Sequence, residues 1–322
     1  MIRRPQELTE NATAEDSVTG NTTAGSTTAG STAAECALPK DSAQQLPQGI
    51  IVAATPLGNL GDASPRLVMA LQQAHVIAAE DTRRLRNLAN ALGVELRAKV
   101  ISNFDHNEAG RVEELLRAAR NSSVLVVSDA GMPVVSDPGH NIVAAAHDAG
   151  ISVTAIPGPS AVPTALALSG LQVGKFIFDS FAPRKDGARR SWLESFRSER
   201  RAVCFFESPH RLADTLHLAA EILGPERRGA VCRELTKLYE EVRRAPLGEL
   251  ADWAEQGVKG EITVVIEGGE QAEVSLEDAL TRVQELVDGG LRLKAACKQV
   301  GVRTSQSNRE LYDAYLRARD GE

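Results

Sequence analysis

Aromatic residues are scarce. Trp, Tyr and Phe together make up 4% of the 322 residues, so any hydrophobic core must rest on Val, Ile, Leu and Ala. The four cysteines, Cys36, Cys204, Cys232 and Cys297, stand singly. They form no CxxC pair and no disulfide framework, which fits a reducing cytoplasm. No His/Cys cluster has metal-ligand spacing, so no metal site is expected. No apolar run reaches the roughly 18–20 residues that span a bilayer, so no membrane span is expected. A Walker Gly-Lys-Ser/Thr sequence is missing, and so is a GxGxxG after the first apolar run; these absences exclude a P-loop and a dinucleotide fingerprint. No Ser/His/Asp arrangement stands out, and the six histidines, at 75, 106, 140, 147, 210 and 217, are dispersed. Chemistry that needs neither metal nor protein nucleophile remains, with a cofactor carrying the reactive group and the protein orienting it.

The length corresponds to about two domains of ~100–200 residues. Residues 1–48 are of low complexity; Thr19–Ala34 is almost entirely Thr, Ala, Gly and Ser. Such a segment buries too little surface to offset the entropy of ordering, so 1–48 is expected to be a disordered, dispensable tail, and no apolar core follows Met1-Ile-Arg-Arg as in a signal peptide. From Ile50 onward, short apolar runs alternate with helical stripes. The runs are Ile50–Ala54, Val76–Ala79, Val124–Val127, Val153–Ile156, Val203–Phe206, Ala230–Cys232 and Ile262–Ile266. They are continuous, as expected of strands buried on both faces. Val112, Leu115, Leu116 and Ala119 recur at helical spacing, as do Leu212, Leu216, Ala219 and Leu223. The expected fold is α/β: two α/β domains with mostly parallel sheets, 49–171 and 172–268, and a small C-terminal helical module, 269–322. Ser275 with Asp278 marks a capped start for that module, followed by helices over Leu291–Val300 and Asn308–Arg317 around a turn at Val302–Ser305. The module reads either as a packing or dimer element or as a helix-turn-helix of the kind that contacts nucleic acid.

Glycines, prolines and acids follow the runs directly. Thr55–Asp62 (TPLGNLGD), Glu80–Arg83, Ser128–Gly139, Pro157–Ala161 and Glu207–His210 each follow a run. In open α/β sheets, ligands bind beyond the carboxyl ends of the strands, so these five loops predict a cleft. Any one of them alone reads as a turn. The net charge is −7, yet Arg184–Arg201 holds seven basic residues against three acidic ones. That run is either a solvated helix face or a local nucleic-acid contact.

TPLGNLGD (55–62), AAEDTRRLRNL (78–88), SNFDHNE (102–108), VSDAGMPVVSDPG (127–139), AIPGPSAVPTALALSG (155–170), FFESPHRL (205–212) and CRELTKLYEE (232–241) resemble the tetrapyrrole methylase family. The EDTR, SDAGMP–SDPG and FFESPHR elements are similar to its ribosomal RNA branch. The resemblance implies S-adenosylmethionine as cofactor, held in a cleft between two α/β domains. It implies 2′-O-methylation of a cytidine ribose in 16S ribosomal RNA of the 30S subunit, a homodimer and a cytoplasmic location. The same fold acting on a corrinoid or porphyrin precursor, or as a non-catalytic RNA or ribosome binder, stays open as an alternative. The cofactor-lining positions it implies are Pro56 and Leu57; Ser128, Asp129, Ala130, Gly131, Pro133, Val134, Ser136 and Asp137; Ser160 and Ala161; Phe206 and Glu207; and Gly260 and Glu261. A ribose hydroxyl must lose its proton as the methyl group arrives, so a base or orienting acceptor is expected nearby. Asp81 and Glu80 are the catalytic candidates, and Asp81 reads equally as the cap of a helix starting at Thr82. Arg83 and Arg84 stand beside them to hold a phosphate, and Arg184, Lys185, Arg189 and Arg190 are expected to bind RNA backbone.

Overall fold

The computed structural model describes residues 45–104, 106–269, 275–304 and 306–320. The expected tail lies outside the described residues as far as Gln44.

The Val/Ile-rich runs form strands because their alternate side chains feed two separate apolar layers. β1 (Gly49–Ala53), β2 (Val76–Ala79), β3 (Lys99–Ser102), β4 (Ser123–Val127) and β5 (Val153–Ile156) make one sheet in the order β3-β2-β4-β1-β5. All its neighbouring strands are parallel. Ile51 and Ala53 point into a core with Leu67 and Leu71 of α1 (Pro65–Gln73) and Leu85 of α2 (Thr82–Ala91). Ile50 and Val52 point the other way, toward Leu115 of α3 (Glu108–Ala119) and Ile142 of α4 (His140–Asp148). Parallel strands joined by crossover helices are covered on both faces, which is why the runs are continuous rather than alternating. Each fully buried Leu or Ile contributes roughly 1.5–3 kcal/mol.

The second sheet differs from the mostly parallel expectation. β6 (Phe176–Phe181), β7 (Ala202–Glu207), β8 (Arg228–Arg233), β9 (Glu241–Pro246) and β10 (Ile262–Ile266) take the order β6-β7-β10-β8-β9. Only β6 and β7 run parallel; β7–β10, β10–β8 and β8–β9 are antiparallel. The reason is local. α6 (Asp186–Glu194) supplies a crossover between β6 and β7, whereas β8 passes to β9 through a short connection that permits only an antiparallel return. Helices α6, α7 (Leu212–Leu223) and α8 (Leu247–Ala254) cover one face. On the other face, Val162, Ala165 and Leu166 of α5 (Ala161–Leu168) pack on Cys204, Ala230, Cys232 and Val265. A helix that follows the first sheet thus lies against the second.

The C-terminal module is built as its caps specify. Ser275 Oγ accepts the Asp278 N–H at 3.0 Å to open α9 (Leu276–Asp288). α9 packs with α10 (Leu293–Thr304) and α11 (Asn308–Asp320) around Val283, Ala296, Cys297, Leu311 and Tyr315. α10 continues to Thr304, through most of the segment expected to turn at Val302–Ser305. Among the described residues, no helix is long and apolar enough to cross a membrane.

Candidate functional site

The loops that leave the carboxyl ends of β1, β2, β4 and β5 emerge together because the sheet is parallel. The first and third are bridged: Thr55 N–H donates to Gly131 O at 2.9 Å, and Gly131 N–H donates to Thr55 O at 3.0 Å. Gly131 has φ +84°, and a Cβ there would stand 3.1 Å from Leu57 Cδ2 and 3.7 Å from Pro159 O. Leu57 beside Pro56, Gly131 beside Ala130, and Ser160 are therefore brought together at one point, where only a glycine passes. Ser128 and Pro133 are buried in the same loop, and the Ser128 carbonyl accepts Thr55 Oγ1 at 3.3 Å.

Backbone strain concentrates here. Val134 (φ 76°) and Ser136 (φ 66°) lie in the left-handed region, which costs most for a β-branched residue such as Val134. Asp137 follows them, half-buried. Ser180 of β6 is also left-handed (φ 51°), and its Oγ lies 2.9 Å from Ser136 Oγ, joining the third loop to the second sheet. Leu57, Ala161 and Phe206 share one apolar cluster, and Phe206 meets the rings of Phe178 and Phe181 edge-on at 5.1 and 5.3 Å.

A second clamp was not singled out from the sequence. After β8, Glu234 (φ 50°) and Thr236 (φ 65°) are left-handed. Thr236 Oγ1 accepts the Asn59 N–H at 3.2 Å. Lys237 pairs with Glu234 at 3.0 Å and with Glu261 at 3.1 Å. Its stem fills the space beside Gly58, where a Cβ would stand 2.2 Å from Lys237 Cγ. Gly260 (φ +101°) is likewise pressed against the Glu234 side chain. Gly260 and Glu261 are thus tied to the first loop through Lys237. The only sequence signal was the CRELTKLYEE resemblance, because this segment lacks the Gly and Pro punctuation of the other loops.

Glu80, Asp81 and Asp129 interlock the second and third loops. Glu80 Oε2 accepts the Asp129 N–H at 3.2 Å, and Asp129 Oδ1 accepts the Asp81 N–H at 3.1 Å. Asp81 caps α2, accepting the N–H groups of Arg83 (2.7 Å) and Arg84 (3.4 Å). The Arg83 guanidinium bonded to its side chain, with the Arg83 N–H, holds its carboxyl down to about 2. A carboxylate that acidic is a weak base, so of the two expected readings for Asp81 the geometry displays the cap. Arg84 pairs with Asp129 at 3.3 Å, and both arginine side chains remain largely exposed.

Three other expected residues are engaged elsewhere. Glu207 is buried, its carboxylate accepting Thr215 Oγ1 at 2.6 Å and the Ser208 N–H at 2.7 Å and pairing with Arg211 at 2.5 Å. It ties the start of α7 to β7 and presents no free face to the cleft. Arg189 is buried and pairs with Asp186 at 2.6 Å, and Arg190 forms a two-pronged pair with Glu221 on α7 at 2.8 and 3.1 Å. Both charges are thereby engaged within the second half, by Asp186 on the same helix and by Glu221 on α7. Arg184 and Lys185 are exposed, just past the end of β6. Arg211 donates to Ala182 O at 3.2 Å and so holds the base of that loop.

The site therefore offers small residues and close backbone at one end, a lattice of carboxylates at the other, and exposed cations around it. The cradle at Gly131 and Leu57, with left-handed backbone at Val134 and Ser136, fits a medium-sized ligand approached by main chain at several points.

Residues 49–251 match the family model described as Tetrapyrrole (Corrin/Porphyrin) Methylases. A Mycobacterium tuberculosis protein named ribosomal RNA small subunit methyltransferase I is 55% identical over 276 residues, covering 84% of this chain and 95% of that one. The Escherichia coli O157:H7 protein of the same name is 38% identical over 251 residues, covering 77% of this chain and 87% of its own. The crystal structure of the methyltransferase CobJ aligns with a TM-score of 0.51 at 20% identity, covering 69% of this chain and 95% of that one. That last likeness concerns the fold alone.

Proposed function

The chain belongs to the tetrapyrrole (corrin/porphyrin) methylase family, and from that premise we propose that it is an S-adenosylmethionine-dependent methyltransferase acting on the ribose 2′-hydroxyl of a cytidine in 16S ribosomal RNA of the 30S subunit. The observation that carries the reading is the convergence of the four parallel-sheet loops on a strained, glycine-lined cradle, with exposed arginines beside the interlocked acids. The names of the relatives, which cover most of this chain, support the RNA substrate over a tetrapyrrole.

S-adenosylmethionine, when bound, supplies a methyl group already activated on a sulfonium. Pro56, Leu57, Ala130, Gly131, Ser160 and Ala161 give it backbone and small side chains; Val134, Ser136, Asp137 and Phe206 close the cradle, and Gly260 with Glu261 approaches through Lys237. Glu80 is the acceptor for the departing ribose proton, because Asp81 is held too acidic to take it. Asp129 positions Asp81 and Arg84, and Arg83 and Arg84 meet a substrate phosphate. Arg184 and Lys185 extend the phosphate contact from the second half. The protein works in the cytoplasm as a homodimer, and its domains divide at 171/172 and 268/269. Methyl-labelled cofactor and 16S RNA test the reading: label should block alkaline cleavage at one position, and label in a base, with every ribose position cleaved, would overturn it.

A further inference from the structure

β3 extends one residue past its end, since Asn103 N–H donates to Ala79 O at 2.8 Å, directly beside Glu80. The pleat puts Asn103 on the face of Ile101, the face against which Met132 and Val134 of the third loop pack. Asn103 is 2% exposed, and its Oδ1 has no hydrogen-bond partner among the described residues. Native structures keep few such orphans, and those they keep mark a missing partner or a functional role. Next along the chain, Phe104 is 40% exposed and meets the exposed His106 edge-on, with ring centres 6.4 Å apart. Asn107 holds the turn: its Oδ1 accepts the Phe104 N–H at 2.8 Å, and its Nδ2 donates to Ser102 O at 3.2 Å. Glu108 Oε1 then accepts the N–H groups of Gly139 (3.0 Å) and Asn141 (2.8 Å), fixing the turn to the far end of the third loop. An exposed aromatic pair and a buried amide acceptor thus follow the carboxyl end of β3, and the Arg83–Arg84 cations follow that of its parallel neighbour β2.

We propose that Asn103, Phe104 and His106 form the subsite that reads the base of the methylated nucleotide, an inference that rests on the RNA-methylating reading of this site. The unpaired base stacks on Phe104 with His106 at its edge, and its exocyclic amino group donates to Asn103 Oδ1. Stacking alone accepts any base; the buried amide rejects a base that leaves it unpaired. The contact forms as substrate enters, with the exposed Phe104 ring turning onto the base and opening the way to the buried amide, a side-chain change of the kind common at interfaces.

Steady-state methylation of 16S RNA, calorimetric cofactor binding and thermal unfolding of the full chain test this. Phe104→Ala should raise KM for RNA roughly tenfold, Phe104→Trp should restore it, and cofactor Kd should stay unchanged in both. Asn103→Leu replaces an unpaired buried amide with an apolar side chain of similar size. It should keep or raise Tm while lowering kcat/KM for RNA. Asn103→Leu that lowers Tm with kcat/KM intact would make Asn103 purely structural and overturn the inference. Weakened cofactor binding in these variants would assign the amide to the cofactor's adenine and overturn it equally. RNA methylation with unaltered KM in Phe104→Ala would overturn this inference alone, whereas no RNA methylation by the unchanged protein would overturn the functional reading beneath it.

Discussion

Glu80 and Asp129 are joined through backbone: Glu80 Oε2 accepts the Asp129 N–H at 3.2 Å, while the Asp129 carboxylate accepts the N–H of Asp81, the residue after Glu80, at 3.1 Å. Two loops from neighbouring parallel strands thereby hold each other's acids in place, and this lattice separates their roles. Glu80→Gln keeps a hydrogen-bonding side chain but cannot accept a proton. It should lower kcat at least tenfold, with KM for RNA and cofactor Kd little changed, as single-turnover and binding measurements would show. A kcat within twofold of the unchanged protein would remove Glu80 from the proton-accepting role.

Asp81 should behave as a cap. Its carboxyl is lowered from 3.8 to about 2 by the Arg83 side-chain and backbone hydrogen bonds. A depressed folded-state value means that its stabilising contribution is present above the unfolded value and is lost as pH falls through the folded one. Asp81→Asn should therefore lower Tm at pH 7, and the difference from the unchanged protein should shrink between about pH 4 and pH 2. The same variant should leave the pH dependence of kcat between pH 6 and 9 in place. Loss of an activity limb in that range would restore Asp81 as a base.

Gly58 and Lys237 should prove coupled. A methyl group at 58 meets the Lys237 stem, whose tip is fixed by Glu234 and Glu261 and cannot simply swing away. Gly58→Ala should weaken cofactor binding, and adding Lys237→Ala should recover part of the loss. That non-additivity is expected only of residues in contact. Strictly additive losses by calorimetry would contradict the clamp.

The basic segment should split into two behaviours. Arg184→Ala with Lys185→Ala should weaken RNA binding and flatten the slope of log affinity against log salt by about 1.4 to 1.8, if each meets one phosphate. Arg189→Ala and Arg190→Ala should lower Tm first, because their charges serve Asp186 and Glu221. Equal salt slopes for the double variant and for Arg189→Ala and Arg190→Ala would refute the division.

Most of the strands readable from sequence are interior ones. β1, β2, β4, β7, β8 and β10 announce themselves as Val/Ile/Ala runs, and the edge strand β5 (VTAI) does so as well. Three strands went unread: β3 (KVIS), β6 (FIFDSF) and β9 (EVRRAP), each at the edge of its sheet. An edge strand has neighbours on one side only and carries polar residues where a central strand cannot. Parallel and antiparallel central strands look alike in composition, so the orientation of β8 and β10 was also hidden. The loops of the site were legible through Gly, Pro and Asp. The Glu234–Lys237 clamp was not, because its strain falls on Glu and Thr, and neither residue type signals a left-handed backbone. The partners of Arg189 and Arg190, Asp186 and Glu221, were hidden because a run of charge does not say which way a helix turns each member.

The most direct test offers methyl-labelled S-adenosylmethionine to the protein with 30S subunits, naked 16S RNA and a tetrapyrrole precursor in parallel. The account predicts label in RNA, at a single ribose that resists alkaline cleavage, and none in the tetrapyrrole. Label in the tetrapyrrole alone would leave the cradle at Gly131 and Val134 standing and contradict the substrate assigned to it.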